Sequence, residues 1–358
     1  MNKRIRSNEG LTIGMDLGDV WSVVVELDEG GEIVGRQRVR TTREGFAVYL
    51  RSVPASRVVI EVGTHSPWVS RLIDELGHRS IVANPRYVRL IGENNRKNDA
   101  ADAERLARLA RADERLLAPV HHRGESIQKD RGLLTARDGL VRARTLLINQ
   151  VRNLVKSLGL RLPACDASAF ARRARRELSG EVFGGQKTLL DTIEQLTERI
   201  RGVDGEIEQV AAVRYPETKR LRQISGVGPV TSLAFVLWLE DPKRFARSRS
   251  VGSYVGLCPR QRDSGARRPQ LRISKAGDGN VRRLLVQAAH YILGHFGPDT
   301  DLRRFGERLT ARGGKAAGKR ARIAVARKLA ILLHRLWQSG EDYEPLRAMR
   351  LSAERAAA

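Results

Sequence analysis

The stretch 11–26, LTIGMDLGDVWSVVVE, constrains the fold of this chain more than any other. It is a run of apolar and β-branched residues that carries one carboxylate, Asp16, and a second strand-like run follows it. An acid in the middle of a buried strand is costly unless something pairs with it, and a divalent metal ion is the usual partner. We therefore expect two strands here, and further carboxylates that meet Asp16.

The residues up to 83 predict an α/β unit. Apolar runs alternate with helix-like stretches, with strands over 11–17, 20–27 and 57–62 and helices over about 43–52 and 66–76. Gly30 and Gly31 predict a hairpin turn, after which 32–38 forms a third strand. Several antiparallel strands followed by alternating helix and strand favour a ribonuclease-H-like layer. The actin-like kinase fold, whose first strand opens in a similar way, stays an alternative.

A second acid, Glu61, lies in the apolar run VVIEV at 58–62. Two acids in apolar strands of one small domain would repel each other unless they share a cation. Two more acids, Asp99 and Asp102, follow in KNDAADAE, on one face of a helix that Asn98 or Asp99 would cap. Taken alone, this last pair is explained as well by capping and by solvated helix charge.

Together the four acids predict a site for one or two Mg²⁺ ions. Two such ions can hold both the attacking and the leaving oxygen of a phosphoryl transfer. The carboxylates expected to bind them are Asp16, Glu61, Asp99 and Asp102.

The chain carries a large positive charge. Its 358 residues include 65 Lys and Arg against 41 Asp and Glu, which gives a formal net charge of +24. Residues 242–336 alone hold 23 basic and 5 acidic residues, a net +18. Binding to a polyanion explains such a surplus, because neutralising phosphates releases counterions. A solvated basic surface in an Arg-rich proteome is the other explanation.

Residues 126–212 predict a helical arm. Leu140, Leu147 and Leu154 recur every seven residues, and a second run alternates spacings of three and four, namely Ile193, Leu196, Ile200, Val203, Ile207 and Val210. This is coiled-coil periodicity, although it is short. The glycine-containing segment 163–186 between the two runs predicts a loop or an insertion. The pattern leaves open whether the arm packs on itself or dimerises.

The segment 221–239, LRQISGVGPVTSLAFVLWL, contains a glycine turn ahead of an apolar helix. In a turn of this helix-hairpin-helix kind, Gly226 and Gly228 leave backbone N–H groups at the helix N-terminus available for a DNA phosphate. A tight connection between two helices, without any ligand, is an equal explanation.

A polar, Arg-rich loop follows the apolar residues 251–258 and contains Ser264 and Ser274. Ser264 stands beside a glycine and among Arg260, Arg262, Arg267 and Arg268. Local positive charge would favour its alkoxide and stabilise a pentacoordinate phosphorus, so this serine is a candidate nucleophile towards phosphate. Serine is also common in loops for purely structural reasons. Beyond the loop, we expect helices over 284–294 and 323–337, a mobile basic loop over 312–322, and a frayed tail over 351–358.

Three features predict a soluble protein of the cytoplasm. The N-terminus MNKRIRSNEG has basic residues but no apolar segment behind it, so we expect no signal peptide. No apolar run reaches the ~18 residues of a membrane span. Cys165 and Cys258 have neither metal-ligand spacing nor the pattern of a disulfide framework, which fits a reducing compartment.

As a set, these motifs resemble one family. The order is GMDLG, VVIEVGTHSPWVSRL and KNDAADAERLARL, then a helical spacer, then ISGVGP and YVGLCPRQRDSGARRPQLRISKAGDGNVRRLLVQAA. It is similar to the DEDD-type transposases of the insertion-sequence-110 family, which are akin to the Piv and MooV DNA invertases. The resemblance covers about 11–110 and 220–295, and the combination of both halves is far more specific than either motif alone.

The resemblance implies a RuvC-like, ribonuclease-H-fold domain whose four acids bind Mg²⁺, and these map to Asp16, Glu61, Asp99 and Asp102. It also implies that a serine of the C-terminal transposase domain forms a covalent phosphoserine link to DNA. That serine maps to Ser264, ahead of the R-I-S-K-x-G segment, while Ser274 becomes structural or phosphate-contacting. One departure is Asp263, where an uncharged neighbour would suit a nucleophile better.

The expected partners follow from the same resemblance. They are donor and target DNA, a bridge RNA that pairs with both, and further copies of the chain in a dimer or tetramer. In such an assembly the RuvC-like domain of one subunit meets the transposase domain of another. The residues expected to bind nucleic acid are Gly226, Gly228, Arg260, Arg262, Arg267, Arg268, Lys275, Arg282 and Arg283.

The fold class predicted is α/β plus α. We expect a RuvC-like domain over 1–125, a helical coiled-coil arm over 126–212 and a mostly helical, basic transposase domain over 213–358. The predicted function is Mg²⁺-dependent DNA strand cleavage and exchange. A non-catalytic nucleic-acid-binding protein with structural carboxylates is the alternative, whereas a sugar kinase would need further glycine-rich phosphate loops that the sequence lacks.

Overall fold

The computed structural model describes residues 11–91, 98–178, 184–265, 267, 269 and 271–357. The chain forms two compact units, Met1–Gly124 and Glu125–Ala358. The division falls one residue before the expected end of the first domain. The predicted arm and the predicted transposase domain fall together in the second unit.

The first unit is built on a five-stranded sheet. Its strands are β1 (Thr12–Asp16), β2 (Trp21–Leu27), β3 (Ile33–Arg40), β4 (Arg57–Glu61) and β5 (Arg79–Ala83), in the order β3-β2-β1-β4-β5. The first three strands are antiparallel, whereas β4 runs parallel to β1 and β5 runs parallel to β4. This arrangement is compatible with a ribonuclease-H-like domain. The first four strands lie close to where they were expected, while β5 was not predicted.

Helices cover both faces of this sheet. They are α1 (Arg43–Arg51), α2 (Ser66–Glu75), α3 (Pro85–Ile91) and α4 (Asp99–Ala112), and a short 3₁₀ helix follows at Glu114–Leu117. On one face, Ile13 and Met15 of β1 pack with residues of α1 and α2. On the other face, Ala103 and Ala107 of α4 pack against β2. The core is therefore a sheet between two helical layers.

The second unit begins with three helices, α5 (Glu125–Ser157), α6 (Phe170–Glu177) and α7 (Gly184–Arg214). Helices α5 and α7 pack along each other. Ile193, Ile200 and Ile207 of α7 are buried at a spacing of seven, as the periodicity indicated. On α5 the buried seam differs from the expected one, because Ile148 is buried whereas Leu154 is 39% exposed.

The segment 163–186 was predicted to be a loop or an insertion. The prediction of a loop was wrong for 170–177, where α6 lies, and residues 179–183 lie outside the described part of the chain. Phe170, Ala171 and Ala174 of α6 are buried against Val151 and Leu190 of the neighbouring helices. The apolar residues recur at helical spacing, but the arginines between them make the segment polar overall, which is typical of a loop. The end of the arm is therefore a three-helix cluster.

The remainder of the second unit is helical as well. Its helices are α8 (Glu217–Leu221), α9 (Pro229–Leu239), α10 (Arg249–Tyr254), α11 (Gly279–Ile292), α12 (Asp301–Ala311), α13 (Ala317–Ser339) and α14 (Arg347–Ala357), with a 3₁₀ turn at Pro242–Arg244. Every residue from Thr231 to Leu239 is buried, so α9 is the central helix of the largest hydrophobic core.

Two expectations for the C-terminal residues need correction. The loop over 312–322 is shorter than expected, since α13 begins at Ala317, where alanine and basic residues favour a helix. The tail is not frayed from 351, since α14 continues to Ala357. Arg350 lies 2.6 Å from carboxylate oxygens of both Glu344 and Glu354, which favours the helical conformation there.

No helix within the described residues has both the length and the apolar composition needed to cross a bilayer. Cys165 and Cys258 are free and partly buried.

Candidate active site and nucleic-acid interface

Asp16 and Glu61 are the last residues of two neighbouring parallel strands. The register pairs Met15 with Ile60, so the two acids stand one step further on, side by side at the carboxyl ends of β1 and β4. Met15 and Ile60 face the core beneath α1 and α2. Because successive side chains of a strand alternate between faces, Asp16 and Glu61 face the opposite side, which α4 covers.

Helix α4 lies against β1 because residue 14 is a glycine. A Cβ atom at Gly14 would lie 1.9 Å from the carbonyl oxygen of Ala103, a distance that no side chain tolerates. The direction of the helix is set at its C-terminal end, where Arg108 Nη1 donates to Gly31 O at 3.2 Å and Arg111 Nη2 donates to Glu29 O at 2.5 Å. Both carbonyls follow β2, whose last residue pairs with the first residue of β1. Helix α4 thus runs antiparallel to β1.

The first turn of α4 therefore lies towards the carboxyl ends of β1 and β4. The side chain of Asn98 caps the helix by accepting a hydrogen bond from Ala100 N at 3.1 Å, as predicted. Asp99 is exposed and shares the sheet-facing side of the helix with Ala103, four residues on. Asp102 Oδ1 accepts a hydrogen bond from Arg105 Nη1 at 2.9 Å, in a side chain that is 27% exposed.

The strand ends with Asp16 and Glu61 and the first turn of α4 with Asp99 and Asp102 thus lie towards the same end of the sheet. We call this region the acidic end of the sheet, and its members are Asp16, Glu61, Asp99 and Asp102. Among the described residues, no three His, Cys, Asp or Glu side chains are arranged closely enough to hold a metal ion. The donors are nevertheless all carboxylates, the oxygen ligands that Mg²⁺ prefers, so their chemistry fits that ion.

A histidine that the sequence reasoning passed over lies near the same strand ends. His65 precedes α2, and its Nδ1 accepts a hydrogen bond from Trp68 Nε1 at 3.2 Å. In the neutral ring the proton is then on Nε2, which donates to Asp19 Oδ1 at 3.4 Å. Asp19 belongs to the turn that follows Asp16. The motif THSPW was visible in the sequence, but nothing in it indicated this pair.

In the second unit, Ser264 occupies the tip of a two-stranded ribbon. Ser264 and Arg267 exchange two backbone hydrogen bonds, of 3.2 and 3.0 Å, and Pro259 pairs with Ile273 further down. Gly265 follows the serine with φ +54°, a conformation that favours glycine. Ser264 is exposed, so its hydroxyl is accessible to a ligand.

Ser274 stands in a different environment, near the base of the same ribbon. Its backbone N–H donates to Cys258 O at 2.8 Å, and its Oγ accepts a hydrogen bond from Ala276 N at 3.4 Å. A serine hydroxyl that bonds the backbone two residues on stabilises a turn. Its contacts are those of a structural residue.

The predicted nucleic-acid-binding residues fall into two groups. Arg260, Arg262, Arg267 and Lys275 are exposed on the ribbon, while Arg268 lies outside the described residues. The guanidinium of Arg282 instead donates to Val255 O at 3.1 Å and to Ala276 O at 2.8 Å. Arg283 forms an ion pair with Asp138. These last two arginines hold protein segments together.

The glycine turn before α9 has contacts on one side only. A Cβ atom at Gly226 would lie 3.0 Å from the ring of Tyr291 and 3.1 Å from Ala288 O, so this glycine allows α11 to pack closely. Gly228 caps α9 and has open space around it. Gly226 therefore has a packing role, and Gly228 is the more accessible of the two.

The sheet order and the acids at the strand ends are compatible with the ribonuclease-H-like class. The family "Transposase IS116/IS110/IS902 family" matches residues 218–303, and a second family description, "Transposase", of the DEDD type of IS110, matches 13–159. The chain is 30% identical to "Transposase for insertion sequence element IS1111A" of Coxiella burnetii, over 95% of this chain and 93% of that protein. It is 31% identical to "Transposase for insertion sequence element IS1328" of Yersinia enterocolitica, over 77% and 82%. A "Probable family 20 transposase" of Pseudomonas aeruginosa is 28% identical over 81% and 86%.

The chain therefore belongs to the IS110 family of DEDD insertion-sequence transposases, as its motifs indicated.

Proposed function

We propose that this transposase cuts and rejoins DNA strands by phosphoryl transfer, with Mg²⁺ at the acidic end of the sheet and Ser264 as the nucleophile. The observation that carries the proposal is the direction of α4. Its antiparallel course along β1 turns Asp99 and Asp102 towards the strand ends that carry Asp16 and Glu61. When bound, Mg²⁺ supplies positive charge for the oxygens around the reacting phosphorus.

The four acids would bind Mg²⁺ and so hold its positive charge beside the reacting phosphorus. Two of the carboxylates lie at strand ends and two lie in the first turn of a helix, so all four are carried by regular elements, which position a site more precisely than loops do. Asp102 would be one of the residues that hold the metal ion, and Arg105, which now donates to Asp102 Oδ1, would then be available to the DNA backbone. The positive end of the α4 dipole adds a favourable field for the ionised acids of its first turn.

Ser264 performs the covalent step. Its Oγ attacks the phosphorus of a phosphodiester, and the new Oγ–P bond forms as the bond from phosphorus to the leaving sugar oxygen breaks. The hydroxyl loses a proton and the leaving oxygen gains one. Because one phosphodiester replaces another, no external energy source is required. A sugar hydroxyl of the second strand then attacks the same phosphorus, the Oγ–P bond breaks, and Ser264 regains its proton as the strands are joined. The exposed position of Ser264 on a ribbon with Arg260 and Arg267 supports this role.

Two partners complete the proposal. A bridge RNA that pairs with donor and target DNA would add to the polyanions that the net charge of +24 can bind. A dimer or tetramer is supported by exposed apolar side chains on α5, where Leu146 is 65% and Leu154 is 39% exposed.

One observation favours the alternative of a non-catalytic nucleic-acid-binding protein. The ion pair between Asp102 and Arg105 gives this acid a structural partner, and Asp99 lies in the first turn of α4, where a negative charge stabilises the helix dipole. In that case the acidic end of the sheet would only stabilise α4.

Strand cleavage in the presence of Mg²⁺ separates the two functions. We expect Asp16→Asn and Asp102→Asn each to lower cleavage by at least about a hundredfold, because each loses a charged ligand. A matched control is Asp28→Asn, at the opposite end of the sheet, where the side-chain oxygen that accepts from Glu32 N is retained. Wild-type cleavage by both active-site variants would exclude the metal site.

A further inference from the structure

Trp21 begins β2 with 42% of its surface exposed, an unusual position for the largest aromatic side chain. Two guanidinium groups approach it from the neighbouring strand β3. The Cζ atom of Arg38 lies 5.5 Å from the ring centroid, and that of Arg40 lies 5.4 Å from it. Both distances are within the range of a cation–π contact. The aromatic surface is thus held in place by charge and is still open to a ligand.

Arg38 and Arg40 differ in their partners from Arg36, the preceding arginine on the same face of β3. Arg36, Arg38 and Arg40 alternate along β3, so their side chains point to the same face of the sheet. Arg36 Nη2 donates to Glu104 Oε2 of α4 at 2.8 Å, which neutralises it. Within the part of the chain that the structure describes, neither Arg38 nor Arg40 has a carboxylate partner. The row therefore ends in two positive charges beside an exposed indole.

The position of this group connects it with the acidic end of the sheet. Val23 pairs with Asp16 across β1 and β2, and Trp21 stands two residues before Val23. Side chains two apart on a strand share a face, so Trp21 faces the same side as Asp16. From the strand spacings, the Cα atoms of these two residues are roughly 8 Å apart. Stacked nucleotides of a duplex are about 3.4 Å apart and those of an unpaired strand are at least as far apart, so this is a span of at most two to three nucleotides.

We propose that Trp21, Arg38 and Arg40 bind an unpaired nucleic-acid strand, with one base stacked on the indole and the flanking phosphates held by the two guanidinium groups. Stacking requires an unpaired base, because the faces of a base in a duplex are occupied by its neighbours. The inference deepens the proposed function, since the strand bound here would continue to the acidic end of the sheet. DNA and RNA single strands share the chemistry that this site recognises.

Equilibrium binding of labelled oligonucleotides to the full-length protein tests the site. Metal-free buffer keeps binding separate from cleavage, so the result does not depend on the catalytic acids. The probes are a deoxy single strand, a ribo single strand of the same sequence, and the DNA duplex. We expect Trp21→Ala to weaken single-strand binding at least about fivefold and to affect the duplex much less. Trp21→Phe should restore most of the affinity, since it keeps an aromatic face.

The arginines are tested through the salt dependence. Arg38→Ala combined with Arg40→Ala should weaken single-strand binding and lower the slope of log Kd against log salt by about 1.4, which corresponds to two phosphates at ~0.7 each. The charge-matched control is Arg43→Ala with Arg115→Ala, two exposed arginines of the same unit that are paired with Glu75 and Asp113. The aromatic control is Tyr87→Ala, whose side chain is 51% exposed.

The outcomes are distinct. A loss with both single strands supports the shared chemistry, and a loss with only one of them assigns the site to that strand. If Trp21→Ala and the arginine pair bind all three probes as well as the controls do, the inference is overturned, whatever Asp16→Asn does to cleavage. If Asp16→Asn cleaves normally while Trp21→Ala has lost the single strand, the binding site stands and the proposed catalytic function fails.

Discussion

Acids in the strands of the first unit have two different environments. Glu26 of β2 accepts hydrogen bonds from Tyr49 Oη and from Gln37 Nε2, both at 2.9 Å, so it is satisfied by its own domain. Asp16 lies at the end of its strand and on the opposite face. The difference in position, rather than the presence of an acid in an apolar run, separates a structural carboxylate from a candidate ligand.

The contact between Tyr49 and Glu26 predicts a pH dependence. Burial, followed by repulsion from Glu26, raises the pKa of Tyr49 above its usual value. Because the neutral phenol is favoured in the folded state, the stability it contributes is present below the unfolded pKa of about 10 and is lost as the pH rises above it. Urea unfolding of wild type should therefore show a lower free energy of unfolding at pH 10.5 than at pH 8.

Tyr49→Phe removes both the hydrogen bond and the titrating group. We expect it to cost about 1 kcal/mol at pH 8 and to weaken the loss of stability between the two pH values. An unchanged loss in Tyr49→Phe would show that other groups cause it.

At the scale of elements, much of the first unit could be predicted from its sequence. Runs of apolar, β-branched residues located β1, β2 and β4, and the turn at Gly30 and Gly31 located β3. These patterns could not determine the direction of α4, which depends on tertiary contacts of Arg108 and Arg111 with the turn after β2. The helix α6 was missed because its short apolar pattern is interrupted by arginines. The choice between Ser264 and Ser274 as nucleophile stays a prediction, since the structure adds only the contact of Ser274 Oγ with Ala276 N.

Gly14 provides a test of how α4 is positioned. Gly14→Ala would place a Cβ atom against the backbone of Ala103, so either α4 or β1 must shift. We expect a destabilisation of about 1–3 kcal/mol, measured by urea unfolding, with reduced Mg²⁺-dependent cleavage. The control is Gly132→Ala in α5, where the added atom meets nothing within 4 Å and should be neutral or stabilising. Equal stability of Gly14→Ala and wild type would refute the close contact.

At the scale of the whole molecule, charge and chemistry are divided between the two units. The acidic end of the sheet belongs to the first unit, and the ribbon that carries Ser264 belongs to the second. The predicted coiled-coil arm falls in the same unit as the ribbon, because α5 and α7 share a core with α9 and α11. Sequence periodicity could identify these helices but not the core they join, since that depends on contacts between distant residues.

The most direct test of the account is the covalent protein–DNA adduct formed in the presence of Mg²⁺, measured on a denaturing gel. Wild type and Ser274→Ala should form the adduct, whereas Ser264→Ala and Asp16→Asn should not, because one lacks the attacking oxygen and the other lacks a ligand for the metal ion. An adduct that persists in Ser264→Ala and disappears in Ser274→Ala would contradict the assignment of the nucleophile. An adduct that Asp16→Asn forms as well as wild type would contradict the role of the acidic end of the sheet.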